Sequence, residues 1–292
     1  LNPERRVTSL WWVPAGALLA GLLLAALPLH ESLSRPFVDA QSRWAAAPQP
    51  VQDVLVIDID DASLRALQPR LGAWPYPRDV YALAIETLRD AGARAIAIDL
   101  LLSEPGNGDR ALSRALARDG APVVLAAAGL RGPALHGAPA TSDVAARHRA
   151  QTAAADNELP AQRWPELAWP VRSLWPAPDL APRIGVITDP LDDGDGRLRR
   201  TSLWHEADGL RWPSFALAVW QATAPSSAGL PASAAPLPAE WPVDAQGRIA
   251  VPALLPGRMA PVLPFEVLAR AALGDADAQT LDAQVRGRVV FI

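Results

Sequence analysis

The sequence predicts a mixed α/β fold: a largely parallel sheet flanked by helices, preceded by one N-terminal transmembrane helix. Three observations carry this reading. Two short apolar runs, Val54 to Asp60 and Ala95 to Leu102, carry acidic residues toward their ends, as strands buried on both faces do. Between them, Val80, Leu83, Ala84, Thr87, Leu88 and Ala91 recur at roughly the 3.6-residue helical period. Ahead of both, Leu10 to Leu29 is a run of twenty residues without a charge.

In chain order the uncharged run comes first. At about 1.5 Å per residue it crosses roughly 30 Å of hydrocarbon. Arg5 and Arg6 precede it, so the positive-inside rule puts the N-terminus in the cytoplasm and everything after His30 outside. A signal peptide cleaved near Ser32 and Ser34 is the competing reading; the apolar run exceeds a usual h-region, which favours a retained anchor. Phe37 to Trp44 reads as a short amphipathic juxtamembrane segment, ended by Pro48 and Pro50.

The strand–helix–strand pattern that follows is a βαβ unit. Asp79 stands at the expected N-cap, and Gly92 where the chain leaves the helix in a left-handed conformation. A right-handed crossover returns the helix start to the edge where the first strand ends, which puts Arg78 and Asp79 near Asp58, Asp60 and Asp61. A helix from Asp109 to about Arg118 and a third strand at Pro122 to Ala128 extend the α/β pattern. From Gly129 to Pro182 the periodicity fades into a long loop with short helical turns, where Trp164, Trp169 and Trp175 read as satellite core.

Strands are expected at Ile184 to Thr188 and Arg200 to His205, joined as a hairpin by a Gly-rich acidic turn. Asp189, Asp193 and Asp195 of that turn resemble half a calcium loop, but the bidentate Glu and the flanking helices of an EF-hand are missing. A helix at Pro213 to Thr223, a Pro/Ala/Ser-rich insertion at Gln221 to Glu240, a strand at Arg248 to Val251, a helix near Phe265 to Leu273 and an apolar run at Arg288 to Ile292 complete the chain. Because it stops inside a strand, the sequence reads as C-terminally truncated.

Composition removes several chemistries. A net charge of -4, with no basic stripe interleaved with aromatics, excludes binding driven by nucleic-acid phosphates. No Lys occurs, which rules out a Walker A loop, a Schiff base and a Ser-Lys dyad. No Cys occurs either, so thiolate nucleophiles, thiolate metal sites and disulfides are absent. His30, His136, His148 and His205 have no metal-ligand spacing and read as surface or loop residues.

The acidic cluster is the one concentration of chemistry. Asp58 and Asp60, two apart, point to one face of a strand end, Asp99 ends the neighbouring strand, and Glu104 and Asp109 follow in its loop. Ligands of open α/β sheets bind beyond the carboxyl ends of the strands. Three readings stay open. In the first, Arg78 neutralises Asp58 or Asp60 and Asp109 caps its helix. In the second, the carboxylates and the Gly106 and Gly108 backbone hold a polar ligand or a divalent cation. In the third, Asp58 and Asp60 serve a phosphatase-like hydrolase, since VLVIDIDD is similar to the DxD motif of haloacid dehalogenase-type enzymes; the Lys those enzymes use is missing.

The order IDIDDASL, WPYPR, AGARAIAIDLLLSEP and GDRALSRAL, followed by IGVITDPLDDGDGRLRR, WPSFALAVW and LPFEVLARAAL, resembles the type 2 CHASE domain. The resemblance covers roughly Phe37 to Ile292. It implies a cytoplasmic N-terminus at 1–9, a transmembrane helix at 10–29 and an extracytoplasmic sensor domain at 37–292, held at the inner membrane of a bacterium, most naturally as a homodimer. It further implies a receptor whose cytoplasmic output, a nucleotide cyclase, a histidine kinase or a Ser/Thr kinase, lies outside this chain. No catalytic residue or cofactor follows from it, the signal is an unidentified small molecule or envelope component, and no metal is assigned. Asp58, Asp60, Asp61, Trp74, Arg78, Asp99 and Asp109 match recurring family positions; with Glu104 they are the candidate ligand-binding residues.

Overall fold

The structure is a computed structural model that describes residues 12–26, 29–44, 46, 50–132, 159–174, 183–190, 195–224, 237–253, 255, 257–275 and 278–292. Two helices lead: α1 (Trp12–Ala26) and α2 (Leu29–Trp44). The α/β part then runs β1 (Val54–Asp58), α3 (Asp61–Leu71), α4 (Arg78–Asp90), β2 (Ala95–Ile98), α5 (Asp109–Ala117) and β3 (Val123–Leu130). After it come β4 (Gln162–Arg163), β5 (Glu166–Ala168), a 3-10 turn (Arg172–Leu174), β6 (Arg183–Val186), β7 (Arg200–Ser202), β8 (Trp204–Ala207) and β9 (Leu210–Pro213). The chain continues through α6 (Phe215–Thr223), β10 (Arg248–Ala250), β11 (Val262–Pro264), α7 (Phe265–Ala272), α8 (Ala278–Val285) and β12 (Val289–Phe291).

The main sheet has the order β11–β1–β12–β2–β3–β6, every pair parallel, and β5 adds antiparallel to the far end of β3. The expected βαβ unit is present with one change: β1 and β2 are not neighbours, because β12 lies between them, with Val56 opposite Phe291 and Phe291 opposite Ala97. Val290, fully buried, faces no solvent on either side. The crossover therefore skips one strand position, which β12 fills.

Period-two alternation divides the sheet side chains. Leu55, Ile57, Ile96, Ile98, Leu125 and Val290 pack into one cluster with Ile85 and Leu88 of α4, Leu112 of α5, Phe265 and Leu268 of α7 and Leu281 and Val285 of α8. The opposite face is built from small residues, Ala95, Ala97, Val124, Ala126 and Val289, against Phe215, Ala218 and Val219 of α6. Close approach explains the small residues: a Cβ added at Gly185 on β6 would lie 2.5 Å from Phe215 Cα. Each large aliphatic side chain so buried contributes roughly 1.5–3 kcal/mol.

Several expectations change. The expected membrane span is a helix of 15 residues, Trp12–Ala26, and among the described residues no helix is long and apolar enough to cross a membrane; Leu10, Trp11, Leu27 and Pro28 lie outside the described residues. Asp79 does not cap α4: Pro77 holds that position, and the Asp79 carboxylate accepts from the Val80 N–H at 3.1 Å. Gly92 does leave α4 at φ 83°. β6 and β7 form no hairpin; β6 joins the main sheet and β7 pairs antiparallel with β10. The hairpin of this region is β8–β9, turned at Asp208-Gly209, and α3, β11 and α8 occupy stretches without a strong apolar period. Trp164 and Trp169 are satellite core as expected, with Trp212 and Ile184; Trp175 and most of the Gln221–Glu240 insertion lie outside the described residues.

Leu55→Ala, at a fully buried site of β1, is expected to lower the unfolding free energy by about 2–5 kcal/mol. Leu83→Ala, on the 41 % exposed side of α4, is expected to change it by less than about 0.5 kcal/mol. Denaturant melts of the two variants check both.

Candidate functional site

The residues singled out from the sequence separate onto the two faces of the sheet. On the helix-rich face, Arg78 begins α4 and reaches α5. Its Nη1–H donates to Asp109 Oδ1 at 2.5 Å and its Nη2–H donates to the Glu104 carbonyl, while its backbone N–H donates to the Asn107 carbonyl at 2.7 Å. Asp109 Oδ2 accepts from the Gly106 N–H at 3.2 Å and the Ser173 hydroxyl at 2.6 Å. One ion pair thus ties the starts of α4 and α5, the loop between β2 and α5, and the 3-10 turn.

The local sequence makes this clamp possible. Gly108 adopts φ 87°, and a Cβ there would fall 2.3 Å from the Asp79 nitrogen, so the loop can close on α4 only with glycine. The Arg78 and Asp109 side chains are 10 % and 13 % exposed, which leaves each dependent on the other for compensation. Arg78 neutralises neither Asp58 nor Asp60, and Asp109 is not a cap: it is the first helical residue, behind Gly108 at the N-cap. Glu104 enters through its carbonyl, with its carboxylate exposed.

Asp58 and Asp99 lie elsewhere. Register places Val56, Phe291 and Ala97 at one level across β1, β12 and β2, so Asp58 and Asp99, each two residues on, stand level at the carboxyl edge with β12 between them. One intervening strand separates their backbones by roughly 10 Å. Alternation turns both toward the face that carries α6, with Phe291 between their rows. Among the described residues neither carboxylate has a hydrogen-bond or ion-pair partner. Surrounding protein takes water from Asp99 and raises its pKa above the ordinary carboxylate value.

Asp60 does not share that role. It is the N-cap of α3, accepting from the Ser63 N–H at 2.7 Å, and the hydrogen bonds from the Ser63 side chain and backbone hold its pKa below the ordinary range. Asp61 is the exposed first residue of α3. Trp74, half-exposed, hydrogen-bonds through its indole to Tyr81, whose hydroxyl burial pushes up to about 12. In the former calcium reading, Asp189 accepts from Thr201 Oγ1 and from the Ser202 N–H, and Asp195 pairs with Arg199 at 2.8 Å; Asp193 lies outside the described residues. Among the described residues no group of three or more His, Asp or Glu could hold a metal ion.

One residue the sequence reading placed at the surface is in the interior. His205, on β8, is fully buried, and Trp164 Nε1–H donates to its Nδ1 at 3.0 Å. Since an indole only donates, the imidazole is neutral with its proton on Nε2, and among the described residues that nitrogen has no partner. Burial lowers the pKa to about 4, with Asp189 pulling weakly the other way. The signal available in the sequence was its position: His205 closes the strand expected at Arg200 to His205, and Asp208-Gly209, flanked by Trp204 to Ala207 and Leu210 to Pro213, is a hairpin turn that sets it inside a paired strand and not in a loop.

A mostly parallel sheet with one helix-packed face and acidic residues at its carboxyl edge is shared by many α/β domains, and the comparison with known families supplies the class, an extracytoplasmic sensory domain. Within that class the chain belongs to the CHASE2 domain family, whose model matches residues 15–292 and so takes in most of α1 and all of α2 as well as the sheet. No curated protein and no solved structure matches the chain.

Removing either half of the Arg78–Asp109 pair, by Arg78→Ala or Asp109→Ala, is expected to cost about 3–5 kcal/mol of stability in a denaturant melt, because the remaining buried charge loses its compensation. His205 gives a pH dependence of definite sign. The folded state resists the proton that the unfolded chain accepts near pH 6.5, so stability falls as pH drops from 6.5 through the folded value of about 4. Over that window the loss is roughly 3 kcal/mol. His205→Gln, which still accepts from Trp164 without titrating, is expected to flatten the profile of melting temperature against pH.

Proposed function

We propose that this chain is the anchor and extracytoplasmic sensor of a bacterial transmembrane receptor that controls a cytoplasmic nucleotide cyclase, histidine kinase or Ser/Thr kinase. The observation that carries this is the family match over residues 15–292, which begins inside an uncharged run at Leu10–Leu29 with Arg5 and Arg6 ahead of it. In this reading residues 1–9 are cytoplasmic, 10–29 anchor a homodimer in the inner membrane, and 37–292 sense. The signal is a small molecule or an envelope component that meets the carboxyl edge of the sheet. Asp58 and Asp99 are the preferred ligand residues: level with each other and without a partner among the described residues, they suit a ligand with two cationic or hydroxyl groups roughly one strand's width apart. Trp74 and Asp61, exposed nearby in the chain, are secondary candidates; Arg78, Asp109, Asp60 and Glu104 serve the frame. A signal acts only by binding two arrangements of the domain with different affinity.

The phosphatase-like hydrolase is the other class. Its required pair is compromised by Asp60, whose carboxylate is committed to Ser63.

In the full receptor, Asp58→Asn and Asp99→Asn are each expected to lose the response of output activity to signal by about tenfold or more while leaving unstimulated output unchanged. Disulfide crosslinking between cysteines introduced in the first transmembrane helix is expected to change with the same stimuli. Crosslinking indifferent to every condition that alters output sinks the sensor reading. Magnesium-dependent turnover of a phosphoester, abolished by Asp58→Asn, would install the hydrolase in its place.

A further inference from the structure

Over its described side chains, Arg35 to Trp44, α2 is held to the domain by charge and not by apolar burial. None of its described side chains belongs to the hydrophobic clusters of the domain, and Phe37 and Trp44 stand 77 % and 88 % exposed. The half-buried stripe is polar: Arg35, Asp39 and Ser42, at the spacing that shares one helix face.

Asp39 is the centre of that stripe. Arg199 grips it with two bonds, Nε to Oδ1 at 2.7 Å and Nη2 to Oδ2 at 3.0 Å, and Arg197 Nη1 adds a third at 3.1 Å. The same guanidinium holds Asp195, Nη1 to Oδ1 at 3.1 Å and Nη2 to Oδ2 at 2.8 Å, and Asp195 Oδ1 also accepts from the Arg197 N–H. The arginine fork is preorganised for such pairing. Its hydrogen bond is the main reason both carboxylates have pKa values below the ordinary range, which keeps the set charged in mild acid. On the domain side the set is rooted: Arg199 leads directly into β7, its carbonyl accepts from the Val251 N–H at 2.8 Å, and the stretch that carries it begins at the end of β6 in the main sheet.

We propose that Asp39, Arg199 and Asp195 form a latch through which the domain holds the membrane-near helix α2, and that the domain passes its state toward the membrane by keeping or releasing this set of ion pairs. The proposal rests on the sensor reading above and names its mechanical coupling. Charge suits a latch because partly exposed ion pairs are weak and salt-screened. A helix held by them can change position without disturbing the core, whereas one seated by buried leucines cannot.

The chain has no Cys, so two labelling sites can be introduced cleanly. The full chain in lipid nanodiscs, spin-labelled at Gln41→Cys on α2 and Ala245→Cys on the turn before β10, is measured by double electron–electron resonance. A single narrow distance peak is expected. Asp39→Asn and Arg199→Ala should each replace it with a broad distribution, the double variant should be no broader than either single one, and 1 M NaCl should act alike, since the screening length there is about 3 Å. The Asp39→Asn variant should melt at the parent temperature, because the core is untouched. A peak that stays narrow in Asp39→Asn and in 1 M NaCl, or single variants whose effects add, overturns the latch. The distances do not depend on output activity, so a latch that forms and is released by Asp39→Asn while output ignores the variant would overturn the coupling role of the latch, whereas the sensor reading fails separately, if output answers no stimulus in the parent receptor.

Discussion

Strand β12 hydrogen-bonds to β1 through Val289, Val290 and Phe291 on one edge and to β2 through the same residues on the other. Without those three residues β1 and β2 would have no strand between them, and Leu55 and Ile96 would lack the neighbour that completes their layer. The pairing with β1 joins residues as far apart as Val54 and Val289, and that with β2 residues as far apart as Ala95 and Val289, separations that make such contacts slow to form. The helix-rich layer depends on it: α7 and α8 pack against the strands that β12 joins. The dense small-residue face under α6 has the same dependence, since Val289 belongs to it.

The frame around the carboxyl edge is secured by a different force. Loops cannot bury much apolar surface, so the loop between β2 and α5 is fixed by the Arg78–Asp109 pair and the bonds those two groups make to backbone and Ser173. A nearly buried pair of this kind gives little net stability over an apolar substitute but penalises every arrangement in which one charge is left alone. It therefore specifies the loop's position more than it strengthens the fold. With Arg78 committed there, Asp58 and Asp99 have no arginine among the described residues, and the sheet presents two level carboxylates beyond its strand ends, where ligands of α/β folds bind.

The sheet core, the Arg78–Asp109 clamp and the proposed latch differ in how far water is excluded from their contacts. The sheet is apolar and closed, the Arg78–Asp109 clamp is charged and nearly dry, and the Asp39–Arg199–Asp195 set is charged and partly wet. In the proposed sensor that order has a use: the carboxyl edge stays fixed while the attachment of α2 can change.

Element types were legible wherever periodicity was strong. The 3.6-residue repeat from Val80 to Ala91 and the apolar runs at Val54 and Ala95 gave α4, β1 and β2 with nearly their observed bounds, and the order of motifs gave the family. Short elements such as α3, β11 and α8 were not, because helices of eight to eleven residues with few apolar positions, and a strand of three, carry little period to read. The candidate site was legible as a set of residue types and misread as a single cluster. Asp58, Asp60, Asp99, Arg78 and Asp109 lie close together along the chain's α/β pattern, but proximity in three dimensions was decided by which strand entered between β1 and β2 and by which face each side chain took. His205 shows the same limit, since no local signal tells a strand residue whether Trp164, forty-one residues earlier, will cover it. Local preference is written in neighbouring residues, and the sequence by itself determined composition, helix and strand periods and family. Strand order and charge pairing arise from competition among distant segments for the same partners, and only the tertiary structure decided them.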